Sequence, residues 1–340
     1  FHTSNTGFDN DVWTIEFLND NKPLLGGLFT TYKGIPNNSV LKLHLDGTVD
    51  TSFDTGIAQS NGIVYKIIVN STNDVFLSGT FMKYKDTYTN QAFIANNDGS
   101  VNTLFQLDER FCVPGISTYT ATPSGFTRLF RYPSTIQNDG KILLSNVYFE
   151  NIFYKLIRLN ADGTKDNTFN FNPNLQSNQT VRDIMDIIIR PNGKIIVTAL
   201  SGKGVGSESS LFFKGLFQLN TDGSMDNTFD TGFLDHGIYI FKTLNIALQN
   251  DGKLIVYCEE PYTYKGFQAN AGAIRILENG NIDISFQNTS GKFYDFSSFG
   301  NIEILILPDN KILLYSIDKC AYGYGANPPN TFATNWYRNY

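Results

Sequence analysis

The chain has 340 residues, of which 41% are hydrophobic, 14% aromatic and only 17% charged. This composition is typical of a folded protein with an apolar core and excludes an intrinsically disordered chain. The net charge of −6 argues against nucleic acid as a partner, because phosphate binding needs a basic surface. No apolar stretch is long enough for a membrane-spanning helix, so we expect no membrane insertion.

A turn motif recurs five times along the chain. Each copy consists of an apolar strand pattern, a tight turn ending in Gly, a short polar segment and a Phe. The copies contain Asp46, Gly47 and Phe53; Gly99 and Phe105; Gly163 and Phe169; Gly223 and Phe229; and Gly280 and Phe286. A period of about 50–60 residues with several strands in each repeat is typical of β-propeller blades. We expect the motif residues to hold each blade together.

A second tight turn, followed by an apolar strand, alternates with the first. Its six copies lie at residues 21–25, 73–77, 139–143, 192–196, 251–255 and 309–313. Asp-Gly and Asn-Gly between apolar runs are a strong hairpin signal, and we interpret them as type I′ turns with φ > 0 at both central residues. Each unit therefore reads as strand, turn, strand, loop, strand, turn and a short last strand.

In chain order, the repeat units span about 12–57, 62–111, 126–171, 181–231, 238–288 and 299–340. Residues 1–9 resemble the segment that follows the motif Phe elsewhere, so we expect them to supply the outer strand of the last blade. The N-terminal and C-terminal segments would then share the closing blade and hide two sheet edges. The predicted fold is all-β, a six-bladed β-propeller in a single domain covering 1–340. The alternative is a seven-bladed ring with further repeats outside this chain.

Several of these motifs resemble those of a known family. Residues 25–32, with their Gly pair followed by Phe-Thr-x-Tyr, and residues 157–163, with Arg-Leu-Asn-x-Asp-Gly, are similar to the bacterial delta-60 β-propeller repeat. The resemblance covers almost the whole chain, with departures at residues 96–97, 145–146 and 199–200. It implies a bacterial secreted or surface protein or a phage structural protein, and it implies no general enzymatic activity.

The polar turns contain one candidate metal site. Asn160, Asp162 and Asp166 place oxygen atoms at alternate positions, as a calcium ion requires. The other interpretation is an Asx turn that shapes the hairpin. We favour the Asx turn, because the bidentate acid that completes a calcium loop is missing. We therefore expect no cofactor, with calcium as the one candidate.

The sequence contains no recognisable catalytic set. The three histidines, His2, His44 and His236, lie in different units and lack metal-ligand spacing. Glu259 and Glu260 are neighbours in a predicted strand and would point to opposite faces. The three cysteines, Cys112, Cys258 and Cys320, form no disulfide framework. We predict that the protein is not an enzyme.

The remaining functional candidates are aromatic residues in the loops after the second strand of a unit. They are Tyr32, Tyr84, Tyr262, Tyr264, Tyr322 and Tyr324. Exposed Tyr is favoured at interfaces, so these residues would form a contact face for a protein or a glycan. The alternative is that the repeated ones, Tyr32, Tyr84 and Tyr264, pack between blades.

Together these features predict a non-enzymatic structural or binding module of an extracellular, cell-surface or virion protein, such as a phage tail or fibre. Its partners would be other subunits or domains of the assembly. One alternative is a carbohydrate-binding adhesin module that recognises cell-surface glycan. The other is a glycan-active enzyme, which would need two carboxyl groups about 5–9.5 Å apart.

Overall fold

The computed structural model describes residues 7–37, 39–53, 62–70, 73–81, 83–89, 92–108, 110–112, 133–173, 179–203, 212–235, 244–258, 262–269, 272–286, 302–306 and 310–316. All regular secondary structure in these ranges is β-strand. The strands belong to two compact units, Phe1–Phe171 and Asn172–Tyr340. No described segment forms a helix that is long and apolar enough to cross a membrane.

The first unit contains three repeats, each built on an antiparallel sheet. The first repeat has β1 (Val12–Phe17), β2 (Pro23–Gly27), β3 (Thr31–Tyr32), β4 (Ile35–Pro36) and β5 (Val40–Lys42). The second has β6 (Val64–Val69), β7 (Val75–Gly79), β8 (Lys83–Tyr84), β9 (Thr87–Tyr88) and β10 (Ala92–Ala95). The third has β11 (Phe111–Cys112), β12 (Ser134–Ile136), β13 (Ile142–Phe149) and β14 (Ile152–Leu159). The main sheets have the orders β1-β2-β5, β6-β7-β10 and β12-β13-β14, and β11 pairs with the far end of β13.

The second unit continues the same plan. The fourth repeat has β15 (Gln179–Ile189), β16 (Ile195–Lys203), β17 (Phe212–Leu219) and β18 (Gly232–Asp235). The fifth has β19 (Leu244–Leu248), β20 (Leu254–Cys258), β21 (Tyr262–Tyr264), β22 (Phe267–Ala269) and β23 (Gly272–Ile276), and the sixth has β24 (Ile302–Ile306) and β25 (Ile312–Ser316). β18 pairs with β17 of its own repeat and with β21 of the next, so one strand joins two repeats.

The tight turns differ from the type I′ geometry predicted for them. In the hairpin turn of the third repeat, Gly140 N–H donates to the Gln137 carbonyl and Gln137 N–H donates to the Lys141 carbonyl. Gly140 has φ of +80°, whereas Asp139 is not among the residues with positive φ. This is a type I turn followed by a left-handed residue, a three-residue loop in which only the last position needs φ > 0. The type I′ prediction is therefore wrong for this turn. The loop has three residues instead of two, and its second residue does not need a positive φ.

The motif Gly also allows one repeat to approach the next. Gln106, which follows the motif Phe105 of the second repeat, donates its N–H to the Asp162 carbonyl in the third repeat at 3.0 Å. A Cβ on Gly163 would collide with the main chain of Gln106. Asp230 and Gly280 repeat this arrangement between the fourth and fifth repeats.

The predicted short last strand is mostly reduced to a single bridge. Leu43 with Val49 and Leu159 with Lys165 are isolated bridges, and the chain then bends at the motif aspartate, whose buried side chain binds the turn that follows. Among the described residues, only in the fourth repeat does a strand after the motif Phe pair with the third main strand of its own repeat, as β18 does with β17.

Apolar side chains fill the seams between consecutive repeats. Leu24 and Phe53 of the first repeat share a buried cluster with Ile67 and Leu77 of the second. Equivalent clusters lie between the second and third and between the fourth and fifth repeats. The near-continuous apolar runs of the second strands follow from this packing, because each sheet is covered on both faces.

Candidate functional site

In the first, third, fourth and fifth repeats, recurring polar side chains gather around the aspartate that precedes the motif Phe. In the third repeat one oxygen of Asp166 accepts hydrogen bonds from the Thr168 N–H at 2.9 Å and the Thr168 hydroxyl at 2.6 Å. The other oxygen accepts from Lys141 Nζ at 2.9 Å and Arg158 Nε at 2.8 Å. We name this set of Asp, turn hydroxyl, hairpin Lys and third-strand partner the latch.

The latch joins three segments that are separate in sequence. Lys141 directly follows the hairpin turn between β12 and β13, Arg158 lies on β14, and Asp166 follows the motif turn. The guanidinium of Arg158 also lies over the ring of Phe169, 4.8 Å from its centroid. The motif Phe is therefore held by a cation–π contact as well as by burial.

The latch aspartate stays ionised although its side chain is only 4% exposed. Burial favours the neutral acid, but hydrogen bonds from Thr168 and Lys141 outweigh it and hold the pKa of Asp166 well below its ordinary value. The same balance lowers the pKa of Asp50 and that of Asp226. These carboxylates act as fixed negative charges between donors, and they have no proton to exchange near neutral pH.

The other latches use the same positions with different residues. Asp50 pairs with Lys22 at 2.7 Å and with Lys42 at 3.6 Å. Asp283 pairs with Arg275 at 2.9 Å and with Lys253 at 3.7 Å.

The fourth repeat exchanges two members of the set. Asp226 accepts from Lys194 and from Gln218, and Arg190, at the start of the hairpin turn, donates to Gln218. In the third repeat the Gln is at the turn, as Gln137, and the Arg is on the strand, as Arg158. The arginine therefore lies at the hairpin turn in the fourth repeat and on the third main strand in the third repeat. The number of charged residues is the same in both.

The second repeat lacks the acid and both cations of the latch. The positions of Asp, hairpin Lys and strand cation are occupied by Asn102, Asp74 and Ile94. The Asn102 side chain accepts only the Leu104 N–H among the hydrogen bonds described for it, and Asp74 accepts from Asn70 at 3.1 Å. A buried acid without its cations would be costly, so the joint loss is the expected outcome.

Three of the candidate tyrosines are buried, so they do not form the exposed contact face that was one prediction. Tyr32 is 7% exposed, and Tyr84 and Tyr264 are fully buried. Their hydroxyls donate to the carbonyls of the motif glycines: Tyr32 to Gly47 at 2.8 Å, Tyr84 to Gly99 at 2.7 Å and Tyr264 to Gly280 at 3.1 Å. Each ring thus ties the loop after the second strand to the motif turn.

The other three candidate tyrosine side chains are not among those that the structure describes. The main chain of Tyr262 belongs to β21, while its side chain, together with Tyr322 and Tyr324, lies outside the described residues.

The candidate calcium ligands bind protein donors instead. Asp162 accepts from the Thr164 N–H and hydroxyl, which is the geometry of an Asx turn. Asn160 donates to the Thr164 hydroxyl, and Asp166 belongs to the latch. Within the described part of the chain, no group of three or more His, Cys, Asp and Glu is placed to hold a metal ion.

Sequence reasoning missed the cations of the latch. The signal was present, because a Lys follows the Gly or Asn of five of the six hairpin turns: Lys22, Lys141, Lys194, Lys253 and Lys311. Only in the second repeat, where the motif acid is Asn102, does this position hold Asp74 instead. The joint change of the two positions could have identified them as partners.

Comparison with known proteins supports this architecture. A family model described as "Domain of unknown function (DUF5122) beta-propeller" matches residues 18–53 and 137–169. These two segments are β-propeller repeats. Each of them runs from the end of the first strand of its repeat to the motif Phe, so each contains a complete latch. No curated protein matches the chain.

Solved structures show distant similarity. A glucose dehydrogenase is 12% identical over 92% of this chain and 94% of its own, with a TM-score of 0.40. PorZ, a bacterial surface component of the type-IX secretion system of Porphyromonas gingivalis, is 14% identical over 93% of this chain and 40% of its own, with a TM-score of 0.40. A protein of unknown function from Dyadobacter fermentans is 12% identical over 73% of both chains, with a TM-score of 0.36. None of these similarities assigns an activity to this chain.

Proposed function

We propose that this chain is a non-enzymatic β-propeller that serves as a structural and binding module of a larger extracellular or virion assembly. The observation that carries the proposal is the use of the recurring carboxylates. In the first, third, fourth and fifth repeats the motif aspartate receives donors from its own repeat on both oxygens. The residues that recur through the chain hold the blades together, and the oxygens of their carboxylates already accept hydrogen bonds from protein donors.

We further propose six blades in one ring, with the N-terminal segment as the outer strand of the sixth. Phe8 forms a bridge to Tyr32 in the first repeat, just as Leu234 of β18 pairs with Tyr264 in the fifth. Because β18 is also the outer strand of the preceding repeat, residues 7–9 correspond to the end of such a strand. The other strands of that blade would come from the sixth repeat.

The resemblance to repeats of secreted, surface and phage proteins supports an extracellular or virion location. In such an assembly the partners would be neighbouring subunits or domains. We therefore expect the native polypeptide to continue beyond this module.

Two measurements test the proposal. Peptide mapping by mass spectrometry of the native polypeptide should find sequence covalently joined to the module. The purified module should not hydrolyse a panel of fluorogenic glycosides, with or without added calcium. Turnover that disappears on substitution of a single carboxylate would establish the glycan-active enzyme instead and overturn the proposal.

A further inference from the structure

Two aromatic residues occupy β-bulges on the first strands of neighbouring repeats. The register of β1 shifts between Val12 and Thr14, and that of β6 shifts between Val64 and Lys66. The residues left at the bulges are Trp13 and Tyr65. A bulge turns a side chain away from its regular direction and is frequent beside functional sites.

The two bulges bring the aromatic rings together across the seam of the repeats. The centroids of Trp13 and Tyr65 are 5.3 Å apart, with the ring planes 15° from parallel. Both residues remain partly exposed, and neither belongs to the apolar cluster that fills the seam. The Ile67 N–H donates to the Thr14 hydroxyl at 3.3 Å, which fixes the two strands beside each other.

Packing alone does not require aromatic residues at this position. The corresponding bulge of β15 lies between Ile184 and Asp186 and contains Met185. Met185 packs against the apolar cluster of the fourth and fifth repeats. A flexible aliphatic side chain is therefore compatible with the same backbone geometry, so the stacked pair needs another explanation.

One acid and one base accompany the rings. Glu16 lies on β1 three residues after Trp13, and Lys66 directly follows Tyr65 on β6. Burial raises the pKa of Glu16, and the nearby Lys66 partly opposes this effect. The seam thus offers a flat apolar surface, a carboxylate that accepts hydrogen bonds and an ammonium group that donates them.

This combination restricts the chemical class of ligand. The two charges offset each other, so a charged ligand would lose its hydration at the seam without meeting a net counter-charge. A neutral ligand with one flat apolar face and several hydroxyls fits both the rings and the charged pair. We propose that the seam between β1 and β6 binds a neutral pyranose sugar, stacked on Trp13. This binding site goes beyond the structural role proposed above, and an experiment can refute either proposal without refuting the other.

Tryptophan fluorescence tests the site directly, because the chain has only two Trp residues. In a Trp336→Phe variant, Trp13 is the remaining indole and its emission reports on the seam. We expect a saturable change in emission on titration with glucose, galactose or N-acetylglucosamine. Glucuronic acid and glucosamine, which carry opposite charges, should bind at least several-fold more weakly.

A matched variant should keep the fold and remove the indole ring on which the sugar stacks. Trp13→Met, in the otherwise unchanged chain, places at this bulge the residue found at the bulge of β15. We expect calorimetry to show at least tenfold weaker sugar binding, with an unchanged circular dichroism spectrum. Lys66→Met, which leaves Trp13 in place, should weaken binding several-fold and covers the case in which Trp13→Met fails to fold.

Three results would overturn the assignment. They are the absence of saturable binding by all three neutral sugars, equal affinity in folded Trp13→Met, and tighter binding of either charged sugar. None of these outcomes depends on flanking sequence or on glycosidase activity, so the scaffolding proposal would stand or fall on its own tests.

Discussion

The latch of the third repeat makes a quantitative prediction about buried charge. Replacing Asp166 with Ala removes the acceptor of Arg158, whose side chain is 7% exposed, and of Lys141, whose side chain is 30% exposed. Arg158 then remains buried without its counter-charge. We expect the free energy of unfolding of the first unit to fall by about 3–5 kcal/mol, as for the loss of one partner from a buried ion pair.

Most of this loss should come from Arg158 and little from Lys141. A cation that keeps access to water regains hydration, so an exposed ion pair contributes only about 0–1 kcal/mol. The Thr168 N–H also loses its acceptor, which adds about 1 kcal/mol if it stays dry. An Asp162→Ala control removes an exposed Asx-turn acceptor in the same loop and should cost no more than about 1 kcal/mol.

The residues of the second repeat suggest a triple variant that should recover part of the lost stability. Lys141→Asp, Arg158→Ile and Asp166→Asn together copy the residues of that repeat at the three latch positions. Because no buried cation is left unpaired, the triple variant should be at least about 2 kcal/mol more stable than Asp166→Ala. Urea unfolding followed by Trp13 emission in the Trp336→Phe background measures this, since Trp13 and the latch lie in the same unit.

Two results would refute the reasoning. If Asp166→Ala costs under about 1 kcal/mol, the latch behaves like a surface ion pair. If the triple variant is as unstable as Asp166→Ala, an unpaired Arg158 is not the cause of the loss.

Three further predictions concern stability. The latch aspartates have depressed pKa values in the folded state. Their contribution to the free energy of unfolding is therefore present above the unfolded pKa and is lost as pH falls. The urea midpoint should be constant above about pH 5 and should decrease below about pH 4. Tyr84→Phe should cost about 1–2 kcal/mol by leaving the Gly99 carbonyl without its donor, whereas Tyr148→Phe, at a 42% exposed ring, should leave the thermal midpoint unchanged. Gly266→Ala, with φ of +78° and open space around it, should cost about 1–2 kcal/mol, and Gly280→Ala should cost more because its Cβ also meets the main chain of the preceding repeat; equal costs would show that the close approach does not matter.

Repetition made the repeats and most strand positions readable from the sequence. Asp-Gly and Asn-Gly between apolar runs predict hairpins because Gly accepts φ > 0, and Gly47 and Gly280 have such φ values. The type of turn was not readable, because a type I′ turn and a type I turn with a left-handed third residue use the same residue pair. The number of residues in the loop, which depends on strand register, distinguishes them.

The tyrosines show the limit of local pattern. Their recurrence after the second strand was visible, but a repeated Tyr is equally compatible with an exposed contact face and with an interior tie. The outcome depends on whether the loop folds back far enough for the hydroxyl to reach the carbonyl of the motif Gly. That distance joins residues about fifteen positions apart, as for Tyr32 and Gly47, and belongs to the tertiary structure.

The sequence by itself determined the β-rich class, the repeat and the positions of the motif aspartates, because each depends on residues close together in the chain. Tertiary structure decided what those aspartates do. Lys141 lies 25 positions from Asp166 and Lys194 lies 32 positions from Asp226, so no fixed spacing reveals the hairpin partner. The third-strand partner lies eight positions before the aspartate, but its type changes from Arg158 to Gln218. Folding brings the three segments of each latch together, and burial then makes their charges depend on one another. The stacked rings of Trp13 and Tyr65 arise in the same way, because a bulge in each of two strands only becomes a surface when the strands meet.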